Sequence, residues 1–324
     1  MDAAGQPVPP RDFERGLQTS GLLYHKGELW SIGDQRGEWP GHLLRIDPAT
    51  ARLKGEAVKL RLPDPLPQTP LFADYRSIRN SDFEGLAADP KDPFVLYGVT
   101  EDKRQWLVKI RLGAKAEAAE AAIEAITELE FPAGTEPYNG DLNYRIEGLA
   151  LSDDGEEIFL AWERAGDKLP KIFTIQRRDA AAPKAAARDL AIDFASLAPR
   201  AGKEKALLNI NDLHFLRAGG RSWLLAVARD QERILVISLG DKKIARSVDL
   251  DLRAPGGESI FWVSPEGLSA DAATDKLWIV NDPDSIRGNY RKAGEEKASG
   301  NFAAMAPLLF ELKLSAVMDG LGGK

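Results

Sequence analysis

Short runs rich in β-branched, aromatic and leucine residues, four to seven long and separated by turn residues, recur along most of this chain. That is the pattern of antiparallel strands in an all-β protein. One stretch reads most clearly: Glu84 to Ala88, the turn Asp89-Pro90-Lys91-Asp92-Pro93, then Phe94 to Thr100, Trp106 to Leu112 and Ile126 to Phe131. The first strand of each such unit opens on a shared signature: Ser20-Gly21-Leu22, Glu84-Gly85-Leu86, Glu147-Gly148-Leu149, Asn211-Asp212-Leu213 and Glu266-Gly267-Leu268. The intervals are 64, 63, 64 and 55 residues, so five units use up the chain. Sequence repeats of about this length point to a propeller or an array.

The same order of runs fills the other units. Unit one gives Ser20 to Tyr24, Glu28 to Ile32, His42 to Ile46 and Ala57 to Leu62; unit three adds Ile158 to Trp162, Lys171 to Gln176 and Ala191 to Phe194. Unit four gives Asn211 to Leu216, Trp223 to Ala228, Ile234 to Leu239 and Arg246 to Leu252. Unit five offers Glu266 to Ser269, Lys276 to Val280 and Leu308 to Leu314 and lacks a fourth strand, while Arg11 to Leu17 belongs to no unit. The economical reading is one domain over residues 1–324, a β-propeller of five blades of four antiparallel strands. The N-terminal segment then supplies the missing outer strand and removes an open sheet edge. The alternatives are a six-bladed ring with a degenerate blade in 287–306, and a sandwich or two-domain layout. The Ala/Glu stretch Ala114 to Ala125 reads as a short helix or an ordered loop.

Strands one and two of a unit are antiparallel, so the start of one and the end of the other share an edge of the ring. The strand-one starts are Ser20, Glu84, Glu147, Asn211 and Glu266; the strand-two ends are Asp34, Glu101, Glu163, Asp230 and Asp282. Carboxylates crowded at an inward position are costly unless a cation neutralises them or some stay protonated. Calcium suits such a set, taking six to eight oxygens with tolerant geometry. The expected metal ligands are therefore Glu84, Glu147, Asn211 and Glu266. The competing reading is that Glu-Gly-Leu repeats only because the glycine packs tightly and the leucine fills the core.

Each unit also carries an arginine just past strand two: Arg36, Arg104, Arg164, Arg229 and Arg287. Loops entering strand one add Arg76, Arg79 and Arg145. Arg79, Arg145, Arg104, Arg164, Arg229 and Arg287 are the candidate contacts for a phosphate or carboxylate ligand, which guanidinium groups bind bidentately. The plainer reading pairs these arginines with neighbouring carboxylates or leaves them in solvent. Tyr75, Tyr138, Tyr144, Trp39, Phe261 and Trp262 are candidate walls, whereas Trp106 and Trp278 are expected between blades.

Composition narrows the chemistry. The chain of 324 residues has 44% apolar and 29% charged residues, enough for a large core. A net charge of −7 argues against sequence-independent nucleic-acid binding. No apolar run approaches a membrane-spanning length, and Met1 to Pro10 lacks the layout of a signal peptide. The small, polar residues Asp2 to Pro7 look like the start of a mature exported chain, so a periplasmic or secreted location is expected, with the cytoplasm as the alternative. With no cysteine and three histidines (His25, His42, His214), any metal is held by oxygen. No Gly-x-Ser-x-Gly turn, phosphate-binding Gly-rich loop or dinucleotide fingerprint is present. Oligomeric state is not specified by any of these features.

Glu84-Gly85-Leu86-Ala87 and Glu147-Gly148-Leu149-Ala150, with Leu29-Trp30-Ser31-Ile32-Gly33-Asp34 and Leu44-Arg45-Ile46-Asp47-Pro48, resemble the esterase-like phytase domains. They are similar too to related calcium-binding propellers, the regucalcin-like and calcium-activated-nucleotidase-like groups. The resemblance implies a central calcium near Glu84, Glu147, Asn211 and Glu266, and hydrolysis of a phosphorylated or ester substrate. Unit one departs from it with Ser20 and unit four with Asn211-Asp212. A hydrolase of this kind would use Glu101, Glu163 and Asp282 as its catalytic carboxylates, with arginines stabilising developing negative charge. Two other functions are open: a non-catalytic propeller that binds a small anionic molecule or a protein over a structural calcium, and a five-bladed cyclotransferase-like enzyme.

Overall fold

The computed structural model describes residues 19–33, 41–62, 82–101, 104–113, 120–141, 144–253, 263–281 and 308–321. Unit one consists of β1 (Thr19–His25), β2 (Glu28–Gly33), β3 (His42–Ile46) and β4 (Val58–Arg61), each antiparallel to the one before. Unit two repeats this with β5 (Asp82–Ala88), β6 (Val95–Glu101), β7 (Trp106–Leu112) and β8 (Glu120–Glu130). Unit three has β9 (Ile146–Leu151), β10 (Glu157–Trp162) and β11 (Lys171–Gln176), followed by β12 (Lys184–Ala186) and β13 (Arg188–Asp189). Unit four has β14 (Asp212–Ala218), β15 (Arg221–Ala228), β16 (Arg233–Ser238) and β17 (Lys243–Asp249). Unit five has β18 (Pro265–Asp271), β19 (Lys276–Asn281) and β20 (Leu309–Lys313), then a short helix α1 (Leu314–Met318).

The architecture is all-β, and the units pack in a cycle. First strands neighbour one another in the order β1, β5, β9, β14, β18 and back to β1. Apolar cores lie between successive units. Trp30 and Leu43 meet Phe83 and Trp106; Tyr97 and Val95 meet Phe173 and Leu149; Phe159 meets Leu213 and Leu224; Trp223 meets Leu268 and Leu277; Trp278 and Val280 meet Leu22 and Leu29. Trp278 stacks on Tyr24 with centroids 4.7 Å apart, so this tryptophan and Trp106 sit between units as expected. The closing N-terminal segment Arg11 to Leu17 lies outside the described residues.

Two sequence expectations are corrected. The Ala/Glu stretch is not helical where it is described: Glu120 to Ala125 continues into β8, because Ala121, Ile123, Ile126 and Leu129 turn inward while Glu120, Glu124 and Glu130 do not. Parallel pairing with β4, supported by the ion pair of Arg61 with Glu120, holds this long outer strand to unit one. In unit three the outer pairing is made by β13 on β11, not by Ala191 to Phe194. There β12 crosses over to pair in parallel with β8 of unit two, and Leu190 and Ile192 serve as packing for the core between units three and four.

The signature acquires a physical meaning at the inner edge. The pairing slips between Thr19 and Leu22, between Phe83 and Leu86, between Ile146 and Gly148, and between Pro265 and Gly267. Such β-bulges re-aim a side chain, and the bulged residues are Ser20, Glu84, Glu147 and Glu266. The glycine beside each is compelled by close approach: a Cβ on Gly21, Gly85, Gly148 or Gly267 would lie 2.6–2.9 Å from atoms of the neighbouring strands. Unit four pairs from Asp212 opposite Val227 with no slip and has Asp212 where the others have glycine.

Candidate functional site

The strand-one starts gather at one mouth of the ring, four of them aimed there by bulges. Ser20, Glu84, Glu147, Asn211 and Glu266 are all buried, between 2% and 8% exposed. Burial pushes the Glu147 carboxyl well above the usual carboxylate range, and the negative charges of Glu84, Glu101, Glu163 and Glu266 push it further in that direction. Glu101, at the end of β6, is likewise raised well above its ordinary value by desolvation. An accepted hydrogen bond from the Arg145 backbone N–H (2.8 Å) opposes this, and Glu163 and Asp82 add to it.

Glu163, just past β10, is fully buried. Its Oε1 accepts from Asn209 Nδ2 at 2.9 Å and from Arg229 Nη2 at 2.7 Å. Its Oε2 has no hydrogen-bond partner among the described residues, nor do Oδ1 and Nδ2 of Asn211. Asn209 is itself fixed, accepting the Asp230 backbone N–H at 3.0 Å. Arg229 spans the site, its Nη1 donating to Glu266 Oε1 at 2.5 Å. Burial works against the Arg229 charge, but Glu266, Glu163 and Glu147 outweigh it and keep the guanidinium protonated.

The other arginines are placed differently. Arg164 pairs with Asp230 at 3.0 Å and lies over the rings of Tyr144 and Tyr138, 4.7 and 5.7 Å from their centroids. Arg104 is exposed and turns outward, 3.8 Å from Glu128. Arg145 contributes its main chain: its N–H to Glu101, and its carbonyl to the Glu163 N–H at 2.5 Å. Asp282, Arg79 and Arg287 lie outside the described residues, as do Asp34, Arg36, Trp39, Tyr75, Arg76, Phe261 and Trp262. For Arg104, Arg164 and Arg229, then, the plainer expectation of pairing with carboxylates is what the geometry shows.

Two residues that sequence reasoning did not single out belong here. Asn209 has no signature of its own. Asp212 did leave a signal, as the position where unit four breaks the Glu-Gly pattern. The donor set suits a hard cation, being oxygen throughout, with Glu163 Oε2 and Asn211 Oδ1 buried and without a hydrogen-bond partner among the described residues. Among the described residues no three acidic or histidine side chains close on a single point. An ion here would draw amide, main-chain or water oxygens in beside the carboxylates.

A closed cycle of antiparallel sheets around an acidic inner mouth defines a β-propeller, with the candidate site where the first strands converge. A family model described as phytase-like, esterase-like activity of phytase, matches residues 16–284, and the chain belongs to that family. No curated protein matches it. Solved structures similar to it include the hydrazine synthase of Kuenenia stuttgartiensis, at 12% identity and TM-score 0.39, with 85% of this chain and 58% of that one covered. A nidogen/laminin complex chain is similar at 12% identity and TM-score 0.40, with 84% and 74% covered. The Cps50 (Swd1) β-propeller domain of Myceliophteria thermophila matches at 11% and 0.38, with 83% and 63% covered. The chain spans less than two-thirds of the hydrazine synthase chain.

Proposed function

We propose that this chain is a five-bladed, hydrolase-like propeller, closed by its N-terminal strand, that acts on a small anionic phosphorylated or ester substrate at the acidic mouth. The observation that carries this reading is the convergence of Glu84, Glu101, Glu163 and Glu266 on buried Glu147, with the Arg229 guanidinium bridging two of them. Membership of the phytase-like family supports hydrolysis of an ester.

The carboxylates have separable roles. Glu163 is held on one oxygen by Asn209 and Arg229 and presents the other, the arrangement of a positioned base. Glu101, whose environment favours the protonated form, is the matching acid. We further propose calcium as the cofactor, held by Glu84, Glu147, Asn211 and Glu266, where it would supply charge neutralisation for an anionic substrate. Arg229, already on Glu266, is the cation it must share that residue with.

The test is hydrolysis of 4-nitrophenyl phosphate, 4-nitrophenyl acetate and inositol hexakisphosphate by chelator-stripped protein, with and without added calcium. Calcium-stimulated turnover that falls at least about a hundredfold in Glu163→Gln and Glu101→Gln is the expected result. Turnover at background for every ester in both conditions overturns the reading.

A further inference from the structure

The hydrolase reading leaves unexplained the carboxylate that fills the axis of the ring just beneath the mouth. Asp212 is 0% exposed. Its Oδ2 accepts the backbone N–H of Leu22 at 3.2 Å and of Leu268 at 2.8 Å, and its Oδ1 accepts that of Leu213 at 2.8 Å. The Leu149 N–H is a fourth donor. These donors come from units one, five, four and three, and each is the leucine of the repeated signature. The pairing slips just before the leucine in units one, two, three and five, and in units one, three and five the leucine N–H turns to Asp212; a buried N–H needs an acceptor. Four glycines leave no side chain there to supply one; unit four supplies it. Burial holds the Asp212 carboxyl well above the usual carboxylate range, although the convergent amides of Leu268, Leu22, Leu213 and Leu149 pull it down.

We infer that the inward N–H groups of the signature leucines form an anion-binding nest on the axis, and that Asp212 is its built-in ligand. Convergent main-chain amides make concavities of this kind selective for small anions. With the carboxylate in place the nest is full, so the mouth above is a cup with a floor and substrate enters and leaves by one face. Emptied of that side chain, the nest would accept a free monocarboxylate of the same shape. This inference rests on the ring geometry and stands apart from the hydrolase reading.

The experiment is thermal unfolding of wild type, Asp212→Gly and Asp212→Asn, in chelator, titrated with sodium formate and in parallel with sodium sulfate, a tetrahedral dianion that does not match a planar carboxylate. Asp212→Gly restores the residue of the other units. Its unfolding temperature should fall by several degrees and recover saturably with formate and not with sulfate, while wild type is unmoved by formate at those concentrations. Asp212→Asn should fall as well and show no recovery, since its amide occupies the nest and turns N–H towards N–H. Failure of Asp212→Gly to fold without formate, with folding in its presence, supports the inference too. If Asp212→Gly folds in neither condition, Asp212→Asn decides: unfolding with wild type overturns the inference, and a lowered value unresponsive to formate supports it. Wild-type stability in both variants, a folded but destabilised Asp212→Gly that formate does not recover, or an equal formate shift in all three proteins, overturns it.

Discussion

Replacing Arg229 by methionine keeps the apolar stem and removes the guanidinium shared by Glu163 and Glu266. Both partners are buried, with side chains 0% and 9% exposed, and Arg229 itself is 21% exposed. Solvent therefore screens these pairs weakly, and the relevant comparison is the removal of one member of a buried ion pair, which costs about 3–5 kcal/mol. Unfolding entropy near 2.1 cal/mol/K per residue over 324 residues gives roughly 0.7 kcal/mol/K, so the loss corresponds to a drop of about 4–7 °C. The loss of the Arg229 charge also removes an influence that lowers the Glu101 carboxyl, which makes that group hold its proton more tightly. The variant should therefore regain part of its deficit in mildly acidic buffer, where protonation relieves the uncompensated charge. Differential scanning calorimetry in chelator reads both effects. An Arg229→Met protein that unfolds within 1 °C of wild type in neutral chelator buffer would refute the bridging role. Adding Glu163→Gln to Arg229→Met should restore part of the stability, because that pair is then removed as a unit while Glu266 still lacks the Arg229 charge.

Glu147→Gln should stabilise the protein in mildly alkaline chelator buffer. A carboxyl raised above its unfolded value binds its proton more tightly in the native state, so wild-type stability falls as pH rises from about 4.3 through the raised value. The variant lacks that slope, and urea unfolding across this range would refute the reasoning if the glutamine protein were the less stable at alkaline pH. Gly148→Ala should lose about 1–3 kcal/mol in the same assay, since the new methyl would lie 2.7 Å from Asp212 Cα and 2.9 Å from Leu213 N, backbone atoms that cannot step aside. Gly240→Ala, with nothing within 4 Å, is the control and should change stability by less than about 0.5 kcal/mol. Equal losses at the two glycines would show that crowding at the ring is not the reason for the repeat.

The repeat was legible because its cause is local. A bulge that aims one residue inward beside a strand too close for any Cβ writes Glu-Gly or Ser-Gly into the sequence, and four of the five units carry it. The inner strands were legible for the same reason, being short, apolar and bounded by turns. The outer strands were legible in part: Ala57 to Leu62, Ile126 to Phe131 and Arg246 to Leu252 fall on β4, β8 and β17, whereas the first half of β8 and the outer pairing of unit three did not show. Residues 120–125 are alanine, isoleucine and glutamate, with helix-forming intrinsic preference, and only pairing to β4 and β7 makes them extended. The crossover of β12 onto β8 is set by packing between units and leaves no periodic trace. At the site, the carboxylates could be named from strand ends, but the partners of the arginines could not. Whether Arg229 faces a ligand or two glutamates depends on side-chain placement across units, to which spacing along the chain is blind. Asp212 was visible as a departure from pattern, and its meaning required the axis, where amides distant in sequence meet.

The central claim is that the carboxylates at the mouth form one functional site that takes a cation, and calorimetric titration of calcium into chelator-stripped protein tests it most directly, with wild type and Glu147→Gln side by side. The account predicts saturable binding of one ion by wild type, accompanied by a rise in its unfolding temperature, with both effects abolished in the glutamine variant although that variant is folded. Absence of binding to wild type, or binding that Glu147→Gln leaves unchanged, would contradict it.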